Sequence, residues 1–320
     1  KDGSFRSGVQ SFDEMNNLPK TLREKLTAQA FLTSLDVLRT QVSKLDGTRK
    51  FLFRLADGNA IESVFMRYKF GNSICVSSQA GCRMGCRFCA STIGGLKRNL
   101  TPGEIAGQIL AAQRETGQRI SHVVVMGTGE PFDNYENLAK FLHIIHDPNG
   151  LNLSMRNITV STCGLVPMIA RFAEDFPQVN LAISLHAVSN EMRDEIMPVN
   201  KAYPMETLLS ACRDYTQKTA RRVTFEYTLV KGVNDSAEYA RKLAARLQGM
   251  LCHVNLIPLN KVEETGYDTS ERGAVLGFQQ VLTECGIPAT IRRELGDDID
   301  AACGQLRLAE KGSARSDFFS

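Results

Sequence analysis

The chain is 320 residues long, 43% hydrophobic and 23% charged, the proportions of an ordinary globular protein with room for one barrel-sized domain and a small extension. Its 38 Lys and Arg against 35 Asp and Glu leave a net charge of +3, too little by itself to indicate a nucleic-acid partner. No apolar run approaches the roughly 20 residues a bilayer-spanning helix needs, residues 1–4 do not open a signal peptide, and nine Cys, an odd number, argue against a secreted disulfide framework, so a cytoplasmic protein without membrane contact is expected.

Charge is nonetheless uneven. Residues 1–100 hold 16 Lys and Arg against 8 Asp and Glu, the remainder 22 against 27. A basic amino-terminal third suits phosphate contacts and equally suits a solvated face.

In chain order, residues 18–45 read as a helix starting near Pro19, with Leu22, Leu26 and Ala30 at helical spacing. Residues 1–48 are therefore assigned to a helical accessory region. Residues 50–56 and 60–66 flank Asp57-Gly58, a strong hairpin signal, which makes 49–72 a β-hairpin extension with Glu62 on its second strand.

From residue 73 to 293, short β-branched runs alternate with helical stretches, the pattern of βα units on a parallel sheet. Strands are expected at 74–77, 122–126, 157–161, 180–185, 223–229, 252–258 and 289–292, and helices near 102–116, 134–146, 165–175, 205–218, 236–248 and 271–285. The first helix carries Thr101 as N-cap, Pro102 at its first position and Glu104 to complete a capping box. No G-x-G-x-x-G joins a strand to a helix, so an α/β fold of the partial (β/α)6 barrel kind is predicted over an open doubly wound sheet. Residues 294–320 are assigned to a carboxyl-terminal loop and tail.

The chain's most distinctive stretch is 75–92, built around Cys82-x-x-x-Cys86-x-x-Cys89 with Gly81 and Gly85 beside the thiols. A closed zinc site needs four ligands, and no second C-x-x-C or H-x-x-x-H pair is present. Three closely spaced thiolates suit an iron–sulfur cubane with one iron open to a further ligand. A lone C-x-x-C is more often a redox pair or chance, but the third Cys reverses that balance. The loop resembles the defining motif of the radical S-adenosylmethionine (SAM) superfamily, in which SAM chelates the open iron.

Barrel chemistry sits at strand carboxyl ends. The three-Cys loop, Gly127-Thr-Gly-Glu-Pro131, Ser161-Thr-Cys-Gly164, Ser184-Leu-His-Ala187 and Asn260 each follow a predicted strand. Glycines in the second motif permit close backbone approach to a ligand, and the hydroxyls and amide suit a ribose or carboxylate. Each would alone be an ordinary strand-end group, and His186 is given no acid–base role. Cys212, Cys252 and Cys285 have apolar neighbours and read as structural. Cys303 stands in an acidic, turn-rich stretch without a packing motive, and Cys75 is a second thiol outside the cluster set.

The segment G-D-D-I-D-A-A-C-G-Q-L around Cys303, taken with C-V-S-S-Q-x-G-C-x-x-x-C-x-F-C, G-x-G-E-P, S-T-x-G and S-L-H-A, resembles the RlmN/Cfr family of radical SAM RNA adenine methyltransferases over residues 12–308. The resemblance implies that Cys82, Cys86 and Cys89 hold a [4Fe-4S] cluster and that Gly129, Glu130, Ser161, Ser184, Leu185, His186 and Asn260 contact SAM. It implies Cys303 as methyl carrier, Cys75 as its partner in a transient disulfide, and Glu62 as proton acceptor, with Glu62 and Cys75 both open to taking the ring proton. It also implies two SAM per turnover, one to methylate Cys303 and one to generate a radical; a radical route suits C2 of adenine, which is electrophilic and closed to direct displacement on a sulfonium.

The implied substrates are an adenine of the peptidyl transferase centre in 23S rRNA and the adenine beside the tRNA anticodon, with Lys97-Arg98 and Arg221-Arg222 among the phosphate contacts. A flavodoxin- or ferredoxin-type reductant and a monomer are expected. Pro131 favours C2 methylation; the alternatives are Cfr-like C8 methylation, which confers antibiotic resistance, and, from another class, a non-catalytic metal-containing RNA-binding protein. The family has a longer amino-terminal helical module that this chain enters midway, so weaker RNA affinity with unaltered core chemistry is expected.

Overall fold

The structure, a computed structural model, describes residues 9, 11–30, 32, 35–259, 266–293 and 295–299. Helix α1 (Lys20–Gln29) precedes an antiparallel wing of β1 (Asp36–Val42), β2 (Arg49–Arg54) and β3 (Ala60–Tyr68). β3 turns back into β4 (Gly71–Cys75), the first strand of the parallel part. After a short ladder of β5 (Gln79–Ala80) with β6 (Arg98–Asn99), strands and helices alternate: α2 (Pro102–Thr116), β7 (His122–Val125), α3 (Tyr135–His146), β8 (Ile158–Thr162), α4 (Val166–Asp175) and β9 (Asn180–Ser184). Next come α5 (Asn190–Ile196), α6 (Met205–Thr219), β10 (Val223–Leu229), α7 (Ala237–Leu247), β11 (Cys252–Pro258), α8 (Arg272–Glu284) and β12 (Ala289–Ile291).

The main sheet has the order β1-β2-β3-β4-β7-β8-β9-β10-β11-β12, and every pairing from β4 onward is parallel. Six βα units and a closing strand thus follow one another without the reversal of order that marks a doubly wound sheet. With right-handed crossovers, an unreversed order puts all the helices on one face and curls the sheet toward a barrel. On β8, Ile158 and Val160 are buried beneath the helices while Thr159 and Ser161 take the inner face. Phe51, Phe53 and Phe65 continue that outer core into the wing, each fully buried and contributing about 2–3 kcal/mol of apolar transfer.

The expected elements lie within a few residues of the observed ones, and α2 has its capping box, with Glu104 N–H donating to Thr101 Oγ1 and Thr101 N–H to Glu104 Oε2. The helix expected over 18–45 needs correction. It spans only α1, which buries no residue and so has no packing to extend it. Residues 36–42, with Val37, Thr40 and Val42, instead pair with β2 and satisfy an otherwise open sheet edge.

Candidate active site

The cavity lies at the carboxyl ends of the parallel strands and has a volume of about 150 Å³. Its walls include Cys82, Cys86 and Cys89 from the loop after β4, Gly129 and Glu130 after β7, Ser161 on β8, and Ser184 and His186 at the end of β9. The cluster loop is held by its own backbone: Cys89 N–H donates to Cys86 O at 3.2 Å, Thr92 Oγ1 to Cys89 O at 2.9 Å, and Lys97 N–H to Ala80 O at 2.8 Å. Arg87 N–H donates to Ile196 O at 3.0 Å, which ties the loop to the end of α5.

The three thiols fit an iron–sulfur cluster. Burial pushes the Cys82 thiol up to about 12, with the Glu130 carboxyl and Cys89 adding to it, and Cys86 is pushed up by burial and by Cys89 and Cys82. Thiols this close and this buried need nearby cationic metal to exist as thiolates. Among the described residues no three His, Cys, Asp or Glu side chains converge on a single ion. A cubane presents separate iron corners, so its ligands ring a volume rather than a point.

Gly129 needs to be glycine: its φ is +107° and a Cβ would come 2.6 Å from the Gln79 Cβ. Gln79 knits this turn to the cluster loop. Its Oε1 accepts from Glu130 N–H at 2.8 Å, and its Nε2 donates to Asp133 Oδ2 at 2.9 Å, the same carboxylate that pairs with Arg83. Glu130 is buried, and burial pushes its carboxyl up although Cys163 N–H (2.8 Å) and Phe132 N–H (3.0 Å) both donate to it.

His186 takes a left-handed backbone, φ +54°, which a non-glycine residue keeps only when its surroundings enforce it. Here Nδ1 accepts from Thr228 N–H at 2.9 Å, the ring meets Phe88 edge-on at 4.8 Å, and His186 O accepts from Asn234 Nδ2 at 2.9 Å. Burial and then Arg193 hold its pKa down at about 3, so the ring is neutral.

Glu62 and Cys75 lie on the inner face just outside the cavity wall. Val64 pairs with Cys75 across β3 and β4, and Glu62 is two residues along β3 on the same face. Cys75 packs in a small apolar cluster with Val64, Met66, Leu295 and Ile299, against which Met126, a cavity residue, also packs. Leu185 is not brought to the cavity. It is fully buried, its N–H donating to Glu226 O and its carbonyl accepting from Arg193 Nε. Asn260 and Cys303 lie outside the described residues.

Of the residues expected among the phosphate contacts, Arg98 pairs with Asp57 and Glu104, and Arg221 and Arg222 precede β10, at the opposite end of the sheet from the cavity. Glu226 and Arg292 were not foreseen, yet both line the cavity. Asn255 Nδ2 donates to Glu226 Oε2 at 2.8 Å, and burial pushes this carboxyl up against the pull of Arg292. A lone acid inside the apolar strand V-T-F-E-Y-T-L was its signal.

An unreversed run of six βα units with a three-Cys loop after its first parallel strand defines a radical SAM protein, and residues 76–244 match the family model of the Radical SAM superfamily. The chain is 54% identical over 303 residues to the "Probable dual-specificity RNA methyltransferase RlmN" of Clostridium novyi, covering 95% of this chain and 88% of that one. It is 54% identical over 310 residues to the protein of that name in Geobacillus kaustophilus, covering 96% and 85%. A crystal structure of a radical SAM methyltransferase from Sphaerobacter thermophilus superposes with a TM-score of 0.92 at 47% identity, covering 96% of this chain and 91% of that one. The chain belongs to the RlmN family of dual-specificity RNA methyltransferases.

Proposed function

We propose that this chain methylates C2 of an adenine in the peptidyl transferase centre of 23S rRNA and of the adenine beside the tRNA anticodon. Cys82, Cys86 and Cys89 would hold a [4Fe-4S] cluster, with SAM seated by Gly129, Glu130, Ser161, Ser184, His186 and Asn260; together these supply, when bound, a radical able to activate a methyl group. Cys303 carries that methyl group to the adenine. Cys75 Sγ, as thiolate, then attacks the Cys303 sulfur, the S–C bond breaks with its electron pair going to the carbon, which takes up a proton as the base leaves methylated, and a Cys75–Cys303 disulfide remains for an external flavodoxin- or ferredoxin-type donor to reduce. Glu62, or Cys75 itself, receives the proton from C2.

The observation that carries this reading is the packing of Cys75 against Leu295 and Ile299, beside a cavity walled by three thiols. Ile299 stands four residues before Cys303 in the chain, and the described start of the carboxyl-terminal motif, residues 295–299, packs beside Cys75. Exposed Arg87 and Lys97 on the cluster loop would meet RNA phosphates. No helix among the described residues is long and apolar enough to cross a membrane. The reading includes a cytoplasmic monomer that consumes two SAM per turnover.

The test is anaerobic incubation of reconstituted protein with dithionite, methyl-labelled SAM and rRNA or tRNA fragments, followed by digestion and mass spectrometry, with Cys303→Ala in parallel. The expected product is 2-methyladenosine, absent from the variant. Recovery of 8-methyladenosine would assign Cfr-like chemistry, and zinc in place of iron in anaerobically purified protein would favour a non-catalytic RNA-binding role.

A further inference from the structure

Arg193, on α5, is a fully buried arginine. Its guanidinium donates to four acceptors, all uncharged: Leu185 O at 3.2 Å, Asn200 Oδ1 at 3.2 Å, Cys163 O at 2.6 Å and Ser184 O at 3.1 Å. Among the described residues no carboxylate lies within ion-pair distance of it. A charge taken out of water without an opposite charge is strongly disfavoured, and arginine does not escape by losing its proton. The fold therefore holds a cation whose balancing charge is missing from the protein groups in contact with it.

Its position says where that charge belongs. Three of its acceptors are the backbone carbonyls that end β8 and β9, directly behind the cavity wall formed by Cys163, Ser184 and His186. The same helix receives the cluster loop at its other end, through Arg87 N–H to Ile196 O, and Pro198 beyond it packs against Gly85. The ionisable groups near Arg193 are Cys163, Cys86, one of the three loop thiols, Cys212 and Asp194, whose carboxylate accepts from Asn200 Nδ2 at 2.8 Å rather than from the guanidinium. Three thiolates leave a cubane cluster net negative, and each electron it accepts adds one more negative charge.

We propose that Arg193 is the fixed positive charge that balances the anionic cluster and eases its one-electron reduction. This rests on the reading of Cys82, Cys86 and Cys89 as cluster ligands. Arg193 touches neither the cavity nor the ligands, so it is a positioning and electrostatic residue, acting through the field it sets and the strand ends it clamps. Charges fixed in a low-dielectric interior act over longer distances than those at the surface.

The test is a redox titration of the anaerobically reconstituted full chain with dithionite, the reduced cluster followed by electron paramagnetic resonance, alongside iron and sulfide content. Arg193→Met and Arg193→Gln, two neutral replacements of which the first fills the same apolar space, are expected to move the midpoint potential to more negative values at unchanged iron per chain. Arg193→Lys, which keeps the charge, and Asn200→Ala, which removes one guanidinium acceptor and leaves the charge, are expected to keep the wild-type midpoint. A neutral variant that loads iron fully and retains the wild-type midpoint overturns the proposal, as does an equal shift in Asn200→Ala. Wild-type protein that binds no iron would instead overturn the cluster reading on which the proposal stands.

Discussion

Lys50 Nζ lies 3.7 Å from Glu62 Oε1 across the adjacent strands β2 and β3, with the two side chains only 10% and 7% exposed. Removing one partner of a buried pair leaves the other charged and costs about 3–5 kcal/mol. Lys50→Met is therefore expected to lower the melting temperature and slow methylation together, and Lys50→Arg to recover most of both. Glu62→Gln also leaves Lys50 unpaired and is expected to lower the melting temperature; with Glu62 as the group that takes the ring proton, it slows single-turnover methylation by about 10²-fold or more, the usual contribution of a positioned base, while SAM binding measured by calorimetry stays the same.

The cluster loop predicts a different signature. Cys82→Ala, Cys86→Ala and Cys89→Ala are each expected to abolish iron binding and RNA methylation after anaerobic reconstitution while leaving far-ultraviolet circular dichroism unchanged. The loop's backbone bonds do not involve the sulfur atoms, and of the three thiols only Cys86 packs against the margin of the main core.

Gly129→Ala tests the turn after β7. A Cβ at φ +107° and 2.6 Å from Gln79 has no strain-free place. A destabilisation of about 1–3 kcal/mol is expected in urea melts, with a loss of SAM affinity because the same turn aligns Glu130 through Gln79.

Acid sensitivity is expected at Arg98. Its guanidinium pairs with Asp57 and Glu104, and its hydrogen bond holds the Asp57 carboxyl well below the usual range. For Glu104 burial works upward, but the bonds from Arg98 and Thr101 outweigh it and keep that carboxyl depressed as well. Both folded-state values lie below the unfolded ones, so the stabilisation is present above about pH 4, the unfolded carboxylate range, and is lost as pH falls through the folded values. Urea midpoints measured between neutral and strongly acid pH should fall more steeply for the wild type than for Arg98→Ala.

Much of this protein was legible before folding because its information is local. The strand at 223–229 and the helix at 102–116 declare themselves through short β-branched runs, a capping box and helical spacing, which the nearest few residues decide. The three-Cys loop is equally local, since one turn of backbone brings its thiols to one cavity.

Tertiary structure decided what depends on distant partners. Residues 36–42 became a strand because β2 offered an open edge, while α1 stopped where it buried nothing. Arg98 was paired with Asp57, 41 residues away, and Leu185 turned into the core although its neighbours Ser184 and His186 face the cavity. The meaning of Arg193 lay wholly in the fold, and that of Glu226 was marked in sequence only by its apolar strand. Only burial, which removes water as a competing partner, makes the position of such a charge consequential.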